Sequence, residues 1–142
     1  MRSLLDINVL IALLDSSHSL HRTAADWFSA NASGGWASCA VTQNGCLRIM
    51  SHTSYLNSQP IAVVASRLRE AVSTPLHQFW NADASLLDDS LVDTSRIHGP
   101  KQLTDVYLLA LACKMGGRLV TMDRGISTNA VRGAAPENLI SI

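Results

Sequence analysis

The sequence predicts an α/β fold of three layers, α/β/α, with a mainly parallel central sheet of four or five strands. Three observations carry this expectation. Short apolar runs alternate along the chain with longer stretches whose apolar residues recur at helical spacing. Glycine, proline or a polar cluster separates most neighbouring segments. Two of the apolar runs lead into an aspartate, as strands do at the ligand-binding edge of an open sheet.

The first run is Leu4-Leu5, closed by Asp6 and followed by Ile7-Asn8-Val9-Leu10-Ile11, where Val9, Leu10, Leu13 and Leu14 continue at helical spacing. From about His18 to Ala32, Leu20, Ala24, Trp27 and Phe28 share one face, which predicts an amphipathic helix. Ser33-Gly34-Gly35 ends it, and Trp36–Cys39 reads as a second buried strand. Val41–Met50 fits a helix although Gly45 within it costs about 1 kcal/mol relative to alanine. After a polar loop over Ser51–Gln59, Pro60 opens a helix that places Ile61, Val64, Ala65, Leu68 and Val72 on one face. Pro75 stops that helix, and His77–Trp80 reads as a third strand. Ala84–Val92 is expected to form one or two helical turns, and Asp93–Lys101 a polar loop. Leu103–Met115 is the clearest long helix, apolar on more than one side and ended by Gly116-Gly117. Arg118–Met122 is a fourth strand running into Asp123, and Leu139–Ile142 a candidate fifth.

Length and composition suit one compact domain spanning residues 1–142. Eleven basic and eleven acidic residues cancel, so no broad basic surface is available to hold nucleic acid by charge alone. Cys39, Cys46 and Cys113 form no close metal-binding pair, stand in apolar stretches and read as reduced thiols of a cytoplasmic protein. No uncharged segment is long enough to span a bilayer, so no membrane is expected among its partners. No zinc motif, phosphate-binding glycine loop or Ser-His-Asp arrangement is present.

If the strands point one way, Asp6 and Asp123 share one sheet edge, and Asp105, opening the long helix, starts near the same edge. Each has a plain structural explanation, as a helix cap or as a first-turn acid favoured by the helix dipole. Those explanations do not account for the clustering. Carboxylates brought together repel unless a cation lies between them, and hard oxygen ligands suit Mg²⁺ or Mn²⁺.

The segments Leu4–Leu10, Leu103–Ala112 and Leu119–Arg124 resemble the first, third and fourth acidic motifs of PIN-domain nucleases, in the same order. The likeness runs over essentially the whole chain and is strongest to the VapC-type toxins of type II toxin–antitoxin systems. It implies a Mg²⁺-dependent endoribonuclease, with Mn²⁺ as a substitute ion, that hydrolyses RNA phosphodiester bonds. Under it Asp6 and Asp105 are the principal metal ligands, and Asp123 completes the catalytic cluster directly or through water. Asn8, Asn44 and Thr121 are supporting polar groups. It also implies a homodimer and a VapB-type antitoxin partner that covers the site. The chain departs from the pattern at Gly45, where the family usually carries a glutamate; its place is open to Asn44, Gln43, water or nothing.

Arg96, His98, Lys101 and Arg124 are candidate contacts for substrate phosphates, although a solvated loop predicts the same residue types. Asp88, Asp89 and Asp93 read as a solvated acidic face. His77 reads as structural, and Trp27 and Phe28 as core or interface residues. A contrasting reading keeps the fold but makes the chain a catalytically silent PIN module that binds RNA or a protein partner. More remote is another Mg²⁺-dependent phosphoryl-transfer enzyme on a similar sheet.

Overall fold

A computed structural model describes all residues, Met1–Ile142. Its strands are β1 (Ser3–Leu5), β2 (Trp36–Cys39), β3 (His77–Trp80), β4 (Arg118–Thr121) and β5 (Leu139–Ser141). The helices are α1 (Ile7–Leu14), α2 (His21–Asn31), α3 (Ala40–Ser51), α4 (Ile61–Val72) and α5 (Leu103–Lys114). The sheet order is β3-β2-β1-β4-β5 and every neighbouring pair is parallel. The chain therefore builds outward from β1 on one side, through β2 and β3, and returns to its other side through β4 and β5. Between β1 and β4 lies the point where the winding reverses, and there the carboxyl ends of neighbouring strands open a crevice.

Two apolar layers sandwich the sheet. On one side Val9, Leu10 and Ile11 of α1, Cys46 and Met50 of α3, and Val64 and Leu68 of α4 pack with Leu5, Trp36 and Val120. On the other, Val106 and Leu108–Ala112 of α5 pack with Leu4, Ala37, Leu119 and Trp80. Burial of Val106 and of the unbroken run Leu108–Ala112 on all sides of the helix explains why the apolar residues of α5 do not follow a single stripe.

Four expectations need correction. Ala84–Val92 forms turns rather than helix, because Ser85 Oγ accepts from Leu87 N (3.1 Å) and Asp88 Oδ1 from Ser90 N (3.0 Å). Such local side-chain acceptors compete with helical hydrogen bonding. The second helix starts at His21, with Leu20 exposed at its N-cap. Ile61 is likewise exposed, so the buried face of α4 rests on Val64 and Leu68. Finally, β4 ends at Thr121 and leaves Asp123 in the following turn. The loop from Asp93 contains two short 3₁₀ turns, Thr94–Arg96 and Pro100–Gln102.

Candidate active site

Asp6 follows β1 and caps α1, its Oδ1 accepting from Ile7 N at 2.7 Å. Its other oxygen accepts from Thr121 Oγ1 at 2.6 Å, across the β1–β4 junction. Capping and clustering are thus both properties of this carboxylate. Thr121 Oγ1 in turn accepts from Asp123 N (3.0 Å) and from Asn8 Nδ2 (3.3 Å), while Asn8 Oδ1 accepts from Met122 N (3.1 Å). One buried hydroxyl therefore ties Asp6, Asn8 and the Asp123 backbone into a single network. Thr121 is fully buried and Asp6 is 5% exposed, so neither can be re-aimed without breaking these bonds.

Asp105 arrives from the other layer, in the first turn of α5. No side chain caps this helix, and Asp105 neither accepts a hydrogen bond from the protein nor forms an ion pair. Burial pushes its carboxyl up to about 6, and the charges of Asp6 and Asp123 push in the same direction. Burial also raises Asp6, against the lowering donations from Thr121 and Ile7, with Asp123 adding to the rise. Asp123 is exposed, and its Oδ1 accepts from Gly125 N at 2.7 Å while Oδ2 receives no donor. The three acids thus form one electrostatic group with no protein cation among them.

Asp105 and Asp123 line a cleft of about 300 Å³ together with Arg96, His98, Lys101 and Asn129. Arg124 is exposed beside Asp123 but does not line it. Asn44 lies on the exposed side of α3 and borders a separate surface hollow with Arg48 and His52, outside the cleft that Asp105 and Asp123 line. Gln43 donates through Nε2 to Ser38 Oγ (2.9 Å), which also contacts His77 Nε2 (2.8 Å). The imidazole packs against Trp36, with ring centroids 4.4 Å apart.

At Gly45 the structure shows what the missing side chain would meet. A Cβ there would stand 2.4 Å from Ile7 Cδ1 and 2.8 Å from Ile7 Cγ1. The apolar side chain next to Asp6 therefore occupies the room that any larger residue at position 45 needs. Neither neighbouring amide hydrogen-bonds to Asp6, whose donors are Ile7 N and Thr121 Oγ1.

Asp93 departs from the solvated-face reading. Its side chain is 23% exposed and pairs with both Arg96 (3.4 Å) and Arg132 (3.7 Å). Arg96 stands three positions away and within local reach, but Arg132 is far away in the chain.

A model of the PIN domain matches residues 3–131. Ribonuclease VapC44 of Mycobacterium tuberculosis is 46% identical over 142 residues, covering 100% of both chains. Ribonuclease VapC38 of the same organism is 40% identical over 142 residues and 99% of both. Ribonuclease VapC39, also from that organism, is 38% identical over 134 residues, 94% of this chain and 96% of its own. Among solved structures, VapBC2 from Rickettsia felis bound to a DNA fragment from their promoter superposes with a TM-score of 0.62 at 14% identity, covering 100% of this chain and 98% of that one. Mycobacterium tuberculosis VapC20, a sarcin-ricin loop cleaving toxin, gives 0.57 at 11% identity, covering 82% and 85%. These two likenesses are of fold alone.

Proposed function

The chain belongs to the PIN-domain family, and we propose that it is a VapC-type endoribonuclease, the toxin of a toxin–antitoxin pair, dependent on Mg²⁺ and held in check by a VapB-type antitoxin. The observation that carries the metal site is Asp105, a half-buried carboxylate without donor or counterion that faces two further acids. The donor set fits the ion. No group of three or more His, Cys, Asp or Glu residues is assembled so as to hold a metal ion by itself. Mg²⁺ does not need such a group, since it commonly uses one or two carboxylates and keeps several waters.

In this reading Asp6 and Asp105 would hold the ion, and Asp123 would complete the cluster directly or through water. When bound, Mg²⁺ supplies Lewis acidity toward a phosphate oxygen and makes water more acidic. The chain's own contribution is orientation and charge. Thr121 and the Ile7 amide fix the Asp6 carboxylate, and Asn8 locks the turn that carries Asp123. Asp123 Oδ2, free of protein donors at the cleft, is placed to take a proton from an attacking water. Arg96, His98 and Lys101 line the same cleft and meet the RNA backbone; Arg124, beyond its lining, contacts the strand only outside it. Function as a homodimer in the cytoplasm belongs to the same proposal. No helix is long and apolar enough to cross a membrane.

The test is cleavage of a mixed structured RNA pool by purified protein with Mg²⁺ or Mn²⁺, with chelator, and with Asp105→Asn. Discrete cuts that vanish with chelator and in the folded variant are expected. Absence of metal-dependent cutting, together with absence of ion binding by calorimetry, would leave the silent binding module as the better reading.

A further inference from the structure

The cleft beside the acids contains charges of both signs, and only the negative ones are explained by a metal site. Two segments distant in the chain form the wall that carries Arg96 and His98. Segment 91–98 precedes α5 and segment 126–132 follows β4, and they are locked together by a bridge between Val92 and Val131, both buried. Asp93 N donates to Ala130 O (2.8 Å) and Arg132 N to Leu91 O (2.8 Å).

Asp93 holds this wall. Its Oδ1 accepts from Ser95 N (3.1 Å) and Ser95 Oγ (2.6 Å), which fixes the carboxylate, and Oδ2 meets Arg96 and Arg132. Arg96 is held from a second side as Nη1 donates to Asn129 O at 3.3 Å. Its side chain nevertheless stays 62% exposed. Arg132 takes up Asp93 from outside the cleft while Arg96 lines it, and Lys101, exposed and without an acid partner, adds a second cation to the lining. Lys101 stands in the 3₁₀ turn that leads into α5 and lines the same cleft as Asp105, so this positive charge and the acids lie side by side.

A ligand that satisfies both halves is a chain of phosphates with one phosphate at the acids and the next on the cations. The volume of about 300 Å³ is on the scale of a single nucleotide turned out of a stack. RNA recognition commonly uses such unpaired, splayed nucleotides. Resting on the ribonuclease reading above, we propose that Arg96 and Lys101 grip the phosphate neighbouring the scissile one in an unpaired RNA segment, and that Asp93 is the positioning residue that sets Arg96.

Binding tests this without requiring cleavage. In an Asp105→Asn background, affinity for a fluorescent hairpin with an unpaired loop is read by anisotropy as salt is varied. Arg96→Gln should weaken binding about 10-fold and flatten the log K against log salt slope by about 0.7, the loss of one single-strand phosphate contact. Asp93→Asn should produce part of that loss alone and none in the Arg96→Gln background. Arg132→Gln, which shares Asp93 but lies outside the cleft, should leave the slope unchanged. In the cutting enzyme Arg96→Gln should raise KM and leave kcat within about twofold, as loss of uniform binding does. Additive effects of Asp93→Asn and Arg96→Gln in variants with native circular dichroism would overturn the positioning role. Equal affinity for a fully paired duplex would overturn the unpaired substrate. Failure of the wild type to cut any RNA would instead count against the ribonuclease reading, while the salt slopes still decide this one.

Discussion

Asp15 and Asp105 are both partly or wholly buried aspartates at helix ends, and their surroundings push them in opposite directions. Asp15 ends α1, where a carboxylate meets the negative pole of the helix. Burial raises its carboxyl, but donations from Tyr55, Asn57 and Ser17, with the nearby His18 charge, outweigh this and leave it below the ordinary range. Asp105 sits at the favourable pole of α5, yet it receives no donor and faces two acids, and its carboxyl stands at about 6. The difference separates a carboxylate that holds a fold together from one whose partner comes from outside the chain. Donor content, rather than burial, makes the distinction.

Substitution of the two residues should break along that line. Asp105→Asn is expected to reduce metal-dependent cleavage by at least about 100-fold, a ligand's loss being no smaller than that of the groups supporting it. Its thermal unfolding midpoint without metal should stay level or rise, because a like-charge contact is relieved. A large fall in the midpoint would make Asp105 a structural acid after all.

Thr121 links the two classes, because its hydroxyl satisfies a fold network and aims a proposed ligand. Thr121→Val removes the donor to Asp6 and the acceptor for Asp123 N. Metal affinity by calorimetry should fall about 10- to 100-fold in folded protein.

Asp15→Asn should do the reverse of Asp105→Asn. Loss of charge-assisted bonds to Tyr55 and Asn57 should lower unfolding free energy in urea by about 2 kcal/mol, with metal affinity unchanged. The pH dependence sharpens the contrast. Asp105 has its folded value above the unfolded one, so the folded chain gains a proton first. Metal-free stability should therefore increase as pH falls from about 6 toward about 4, an increase absent in Asp105→Asn. Asp15 has its folded value depressed, so its contribution is present above the unfolded value and is lost as pH falls through the depressed one.

The smallest effect is expected at Gly45. Alanine there gains about 1 kcal/mol of helix propensity but forces Ile7 out of place, and overpacking costs about 1–3 kcal/mol. Gly45→Ala should be destabilised by about 1 kcal/mol, and Ile7→Val in the same chain should recover most of it. An unchanged unfolding midpoint in the single variant would show that Ile7 moves aside freely.

What could be read from the sequence follows the reach of each signal. Periodicity and glycine or proline punctuation located every strand and helix of the sheet layers, because these signals act within a few residues. They failed over 84–92, where Ser85 and Asp88 capture backbone donors in turns whose pattern mimics helical spacing. Asp6, Asp105 and Asp123 were legible because each stands at a recognisable boundary of an element. The full settings of Asp15 and Asp93 were not, since beside local partners such as Ser17 and Arg96 they use Tyr55 and Asn57 in one case and Arg132 in the other, which are distant in sequence. The exposure of Asn44 follows from how α3 packs on α1 and β2, which no local pattern contains.

The most direct test is titration of the Asp105 carboxyl by carbon-detected NMR, without metal and then with saturating Mg²⁺. We expect a midpoint near 6 in the metal-free protein and a shift to below the ordinary carboxylate range once the ion is present. A midpoint close to the usual value of about 3.9 that does not move with Mg²⁺ would contradict the claim that Asp105 awaits a cation.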